Sequence, residues 1–148
     1  TCALPIWLVP YCEVGCKLPE RDLAADEYNA QLKQFLAAGA EKVIVEARES
    51  GASVGLMDAA GEVQLARMQA ALDGVDPARV IFEAPRKSQQ IFFLREFGPE
   101  TNLGNIAPTD VISVETLRRG LRGDTVEEVY FVIGERHLAA SGRGKSGK

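Results

Sequence analysis

Cysteine is scarce and poorly placed for bridging. The chain has three, Cys2, Cys12 and Cys16, all within its first 16 residues. An odd count bunched at one end excludes a disulfide framework, and reduced thiols in a cytoplasmic protein are the expectation. Cys12 and Cys16 have no further cysteine or nearby histidine to complete a metal-binding set, since the single histidine, His137, lies in the tail. Long apolar runs are absent as well; none approaches the roughly 20 residues of a membrane-crossing helix. Positive charge is not in excess: 17 Lys and Arg stand against 21 Asp and Glu, for a net charge of −4. Neither nucleic acid nor a membrane is therefore an expected partner. No G-x-G-x-x-G follows a strand signal, which removes the main support for a dinucleotide. The pattern A-x-x-x-x-G-K-S at residues 139–146 has only two residues behind it, too few for the helix that a phosphate loop opens.

The composition that remains is that of a globular protein: 46% hydrophobic and 26% charged over 148 residues, enough for one domain with a core. Residues 1–7 (TCALPIW) carry no initiator Met and no helix cap, and residues 3–6 match what a sequencing adapter encodes. They are expected to be a non-native or disordered start to a truncated reading frame. Residues 126–148, ending in SGRGKSGK, are expected to form a partly disordered tail.

Residues 8–125 alternate strand and helix signals. Strands are expected at residues 8–14, 43–45, 80–82 and 102–106, and helices at 22–38, 62–72, 88–97 and 110–121. The first helix carries Leu23, Tyr28, Leu32, Phe35 and Leu36 on one face, with Gly39 as its stop. The second carries Leu65, Met68 and Leu72; the third carries Ile91, Phe92 and Leu94 and is closed by Gly98. The β-branched run Val43-Ile44-Val45 reads as a strand buried on both faces. Residues 129–133 fit either a strand or a turn of helix. Four strand–helix units in series predict an α/β fold: a parallel sheet with helical crossovers, as a barrel or an open doubly wound sheet.

Three successive strand signals finish on a glutamate, Glu13, Glu46 and Glu83, and the fourth reaches Asn105. Side chains at the C-terminal ends of parallel strands gather at one mouth. Three carboxylates there would repel one another unless a cation neutralised them, and oxygen donors point to Mg²⁺ or another hard divalent ion. Basic residues follow the same ends: Lys17, Arg48 and Lys87, then Arg118, Arg119 and Arg122. Guanidinium forks suit phosphate, sulfonate and carboxylate oxygens. A metal with a ring of cations predicts an anionic, phosphorylated substrate. The plainer alternatives are glutamates that cap helices or face solvent, arginines on a solvated helix face, and an ordinary loop lysine at Lys17.

The stretches VIVEARESGASVG (residues 43–55), VIFEAPRKSQQ (residues 80–90) and VISVETLRRGLRGDT (residues 111–125) closely resemble the phosphosulfolactate synthase family, and EVGCK (residues 13–17) resembles its strand-end motif. The resemblance implies a (β/α)8 TIM-type barrel, of which this chain would be the C-terminal half, strands five to eight. It implies Mg²⁺-dependent addition of sulfite to C3 of phosphoenolpyruvate, on the way to coenzyme M. Glu13, Glu46 and Glu83 would hold the metal and stabilise the charge pushed into the substrate carboxylate. Lys17 would protonate C2, its pKa lowered by the metal and arginines around it. Arg48, oriented by Glu49, would bind phosphate and sulfite together with Lys87, Asn105, Arg118, Arg119 and Arg122. Cys16 stands where some relatives carry a second lysine. The family also includes plant heat-stress-associated proteins, so a non-catalytic binding protein on the same barrel is the alternative. A homo-oligomer is expected, because half a barrel exposes two sheet edges and an inner face on which Val45 and Phe82 are placed.

Overall fold

The structure, a computed structural model, describes residues 8–15, 23–46, 56–58 and 60–130. Four short strands form one sheet: β1 (Tyr11–Val14), β2 (Lys42–Val45), β3 (Val80–Glu83) and β4 (Asn102–Gly104). They lie side by side in chain order, each parallel to the next. A parallel pair cannot be closed by a tight hairpin. The chain returns through α1 (Ala25–Ala37), α2 (Leu65–Ala71) and α3 (Lys87–Phe97), and α4 (Val111–Arg118) follows β4.

Strand pairing sorts the side chains into rows. Val14, Val45, Phe82 and Leu103 form one row across all four strands. This row faces the helices, where it joins Tyr28 and Leu32 of α1, Met68 and Ala71 of α2 and Phe93 of α3 in one apolar core. Phe82 stacks on Phe93 and Phe97, with ring centroids 4.5 and 5.0 Å away. The residues between point to the other face: Glu13, Ile44, Ile81 and Asn102 form a row there. None of these four is fully buried.

This alternation corrects two expectations. Burial along β2 runs half-buried, buried, half-buried, buried, so the β-branched run is covered on one face rather than both. Val45 and Phe82 lie under the helices at 3% and 0% exposure instead of lining the open face. The residues on that face are Ile44 and Ile81.

Element bounds shift from their sequence signals: β1, β4, α1, α2 and α4 are shorter, while β2, β3 and α3 are each one residue longer. α1 starts at Ala25, where Glu27 reaches back to accept from the Ala24 N–H. Leu65 opens α2 and is 40% exposed, so Met68, Ala71 and Leu72 form its buried stripe instead. The residues before it turn as a small antiparallel bridge between Met57 and Val63, pinned by Asp58 Oδ1, which accepts from the Ala60 and Glu62 N–H groups. α4 ends at Arg118, and Gly120 turns the chain with φ +63°. Residues 126–130 are helical, which settles Val129 and Tyr130 as helix; Val129 is buried at the front of what was expected to be a disordered tail. Among the described residues no helix is long and apolar enough to cross a membrane.

Candidate active site

At the C-terminal end of the sheet the open face carries Glu46 and Glu83 on adjacent strands. Val45 pairs with Val14 and Phe82, and Glu83 pairs with Gly104, so the last row reads Gly15, Glu46, Glu83, Gly104. The Glu46 N–H donates to the Val14 carbonyl at 3.1 Å, which carries the β1–β2 ladder into this row. Neighbouring strands lie about 4.8 Å apart, so the two glutamates leave the backbone at adjacent positions of one row. Glu13 belongs to the row below, opposite Ile44. The three glutamates therefore share a face but not a level, because glycine holds the β1 position beside Glu46. Among the described residues no three His, Cys, Asp or Glu side chains are grouped closely enough to hold a metal ion.

The Glu46 side chain is unusual. Its Oε2 is buried without a hydrogen-bond partner, although a carboxylate oxygen withdrawn from water is costly unless it is bonded. Such an atom fits a cation ligand. Mg²⁺ is commonly held by one or two carboxylates together with water and substrate phosphate, a donor set that a pair of strand-end glutamates matches in number.

The basic residues divide. Lys17 and Arg48 lie outside the described residues, as does Glu49. Asn105 follows β4 at the same end, exposed and with φ +54°, a left-handed turn that asparagine tolerates. Lys87, the first residue of α3, is paired with Asp124 at 2.8 Å on the helix layer. Arg122 also reaches Asp124, at 3.8 Å, and donates to Ser113 Oγ at 3.2 Å. Arg118 and Arg119 lie at the opposite end of the sheet. With Glu115 they line a cavity of about 730 Å³ beside Tyr11, Lys42 and Asn102, the first residues of β1, β2 and β4. Arg118 donates to the Pro99 carbonyl, and burial lowers its pKa against the opposing pull of Glu115 and Glu100. Arg119 pairs with Glu115 one turn back at 2.7 Å, which raises its pKa. The physical reason is direction: α4 runs back along the sheet, so its C-terminus lies beside the strand starts.

Sequence reasoning missed the residues that shape the mouth from beneath. Gln89 and Gln90 are each 2% exposed. Gln89 accepts from the Arg86 N–H at 3.0 Å and donates to the Gly61 carbonyl at 2.8 Å, tying the Met57–Val63 turn to the start of α3. Gln90 donates to the Ala84 carbonyl at 3.0 Å just past β3. Arg86 lies over Gly61 and donates to the Ala60 carbonyl. Two adjacent glutamines in the first turn of a helix with an apolar stripe were the available signal.

The family described as (2R)-phospho-3-sulfolactate synthase (ComA) matches residues 8–124. A phosphosulfolactate synthase of Methanocaldococcus jannaschii is 50% identical over 119 residues, covering 79% of this chain and 47% of the relative. One of Methanothermobacter thermautotrophicus is 45% identical over 119 residues, covering 79% and 46%. One of Bacillus subtilis is 42% identical over 118 residues, covering 76% and 46%. The chain thus spans about half the length of the curated relatives it matches. These matches show that the chain belongs to the phosphosulfolactate synthase family.

Proposed function

We propose that this chain is the C-terminal half of a cytoplasmic (β/α)8 barrel enzyme that adds sulfite to phosphoenolpyruvate and yields (2R)-phospho-3-sulfolactate, with Mg²⁺. The observation that carries the reading is the Glu46–Glu83 pair on one row of the open face, with Glu46 Oε2 buried and unbonded, in a chain 50% identical to a protein named for that product. The barrel is supported by helices packed on one face of a sheet that has two free edges among the described residues. A doubly wound sheet would be covered on both faces.

In the reaction, the sulfur lone pair of sulfite forms a bond to C3, the π pair of the C2–C3 bond moves toward the carboxylate, and a proton is then delivered to C2. Nothing leaves the substrate. Glu46 and Glu83 would hold Mg²⁺, which when bound supplies a fixed positive charge beside the substrate carboxylate. Lys17, three residues beyond β1, is the proton donor of this proposal, and Arg48, three residues beyond β2, is its phosphate or sulfite ligand. Asn105, just past β4, and Lys87, the first residue of α3, are the remaining anion contacts of the proposal, and Lys87 would have to exchange its Asp124 partner for the substrate. Arg118 and Arg119 face the other end of the sheet and have no part in it, and Arg122 serves Asp124 and Ser113.

The test uses the full-length protein with phosphoenolpyruvate, sulfite and Mg²⁺. Glu46→Gln and Glu83→Gln each replace a charged oxygen donor by a neutral amide. Each is expected to lower Mg²⁺ affinity and turnover by about 10-fold or more. Unchanged Mg²⁺ dependence in both variants would remove these residues from the site.

A further inference from the structure

Gly15 occupies the one position of the mouth row that touches Glu46 from β1. A β-carbon built there would overlap Glu46 Oε2 and lie 2.9 Å from its Cβ and 3.3 Å from its Cδ. Real β-carbons essentially never approach other heavy atoms that closely, and strand backbones leave little room to retreat. The backbone of Gly15 is not among the positive-φ glycines, so conformational freedom is not what glycine supplies here. It supplies space. The glutamate lies across the end of β1, with its Oε2 shielded from water and bonded to nothing.

We infer that Gly15 is a positioning residue: the missing side chain lets the Glu46 carboxylate fold onto the end of β1, in the place from which it ligates a divalent cation. The inference rests on the proposed metal role of Glu46. Any side chain at position 15 displaces that carboxylate sideways or up into solvent. The displaced group has rotamers to choose from, so metal is lost while the sheet stays formed. Gly104, at the other end of the row, differs in what it meets: a β-carbon there would lie 3.0 Å from Ile81 Cγ2 and 4.0 Å from Glu83 Cγ. The constraint on the carboxylate is therefore specific to the β1 side.

The experiment measures Mn²⁺ binding by electron paramagnetic resonance in the full-length protein, using wild type, Gly15→Ala, Glu46→Gln, Glu46→Gly and Gly15→Ala with Glu46→Gly. Gly123→Ala is the control, because a β-carbon there meets nothing within 4 Å. The expected result is a loss of affinity of about 10- to 100-fold in Gly15→Ala, with unchanged far-UV circular dichroism and an unaffected control. In the Glu46→Gly background the second change is expected to add no further loss of affinity or thermal stability, since the Oε2, Cδ and Cβ atoms it would strike are gone. Wild-type Mn²⁺ affinity in Gly15→Ala, with loss in Glu46→Gln, overturns this inference alone. Wild-type affinity in Glu46→Gln overturns the metal role of Glu46 and this inference with it. If Gly15→Ala destabilises the fold, the double variant decides: equal damage without the Glu46 side chain means that Gly15 serves the backbone, and the inference is wrong.

Discussion

Asp124 accepts the Lys87 ammonium at 2.8 Å and has Arg122 at 3.8 Å. The hydrogen bond from Lys87 is the main reason its carboxyl titrates below the ordinary 3.8, with the charges of Lys87, Arg122 and Arg95 adding to it. A folded-state pKa below the unfolded one stabilises above the unfolded value and loses that contribution as pH falls through the folded value. The pair therefore matters at neutral pH and fades only in acid below about 3.8. Lys87→Ala is expected to move the Asp124 carboxyl titration up toward 3.8, read from its ¹³C shift. An unmoved titration would mean that Lys87 is not the cause. At this scale the sequence was half legible. It marked Glu46 and Glu83 because a glutamate directly after an apolar strand is visible in one dimension. It could not mark the partner of Lys87, because Asp124 lies 37 residues away and meets it only through the packing of the α3 and α4 segments. The same blindness placed Arg118 and Arg119 at the mouth: their spacing to Arg122 was visible, but not the end of the sheet to which α4 carries them.

Short elements in this fold depend on side chains that carry backbone hydrogen bonds between them. The turn around Met57 and Val63 has a single antiparallel bridge and is followed by a helix of seven residues. Neither is stable alone, since isolated helices below about 12 residues are marginal. Gln89 secures the arrangement from the neighbouring unit through the Gly61 carbonyl, the Arg86 N–H and Met57 Sδ. Gln89→Leu keeps the volume but leaves a carbonyl and an N–H without their partners. It is expected to cost about 1–3 kcal/mol, measured by urea unfolding, and to speed proteolysis within residues 56–64. A loss below about 0.5 kcal/mol would show that water replaces the amide without penalty. Strand and helix types were legible because apolar spacing follows the period of each element. Boundaries were not: capping at Ala24 and the Asp58 turn before α2 are decided by local hydrogen bonds that periodicity does not record.

At the scale of the whole molecule, among the described residues the sheet begins and ends on strands with an unpaired edge, and the helices leave one face open. A closed barrel has no edges. The parallel order and its chain sequence were legible from four strand–helix units, but periodicity alone could not choose between a barrel and a sheet covered on both faces. Burial along each strand, which periodicity does not record, moved Val45 and Phe82 from the open face to the helix layer. The open face that remains mixes Ile44 and Ile81 with Glu13, Glu46, Glu83 and Asn102. Beside the β1 edge, Leu8, Val9 and Tyr11 are 54%, 61% and 52% exposed. Apolar side chains along an unpaired edge favour pairing with another copy. Two copies joined edge to edge, β4 of one against β1 of the other, would bury Ile81 and Tyr11 in a shared interior and bring two sets of mouth glutamates to one end. The 148-residue chain by itself is therefore expected to dimerise or aggregate, and to have little sulfite-addition activity, because the proposed barrel would draw part of its substrate cage from strands outside these 148 residues. Sedimentation velocity distinguishes the states. Ile81→Lys places a charge on the open face without touching the Phe82 stack, and it is expected to shift the chain toward monomer while helix content stays constant. A stable monomer of the unmodified chain, active with phosphoenolpyruvate and sulfite, would show that four strands suffice and that the open face is not an interface.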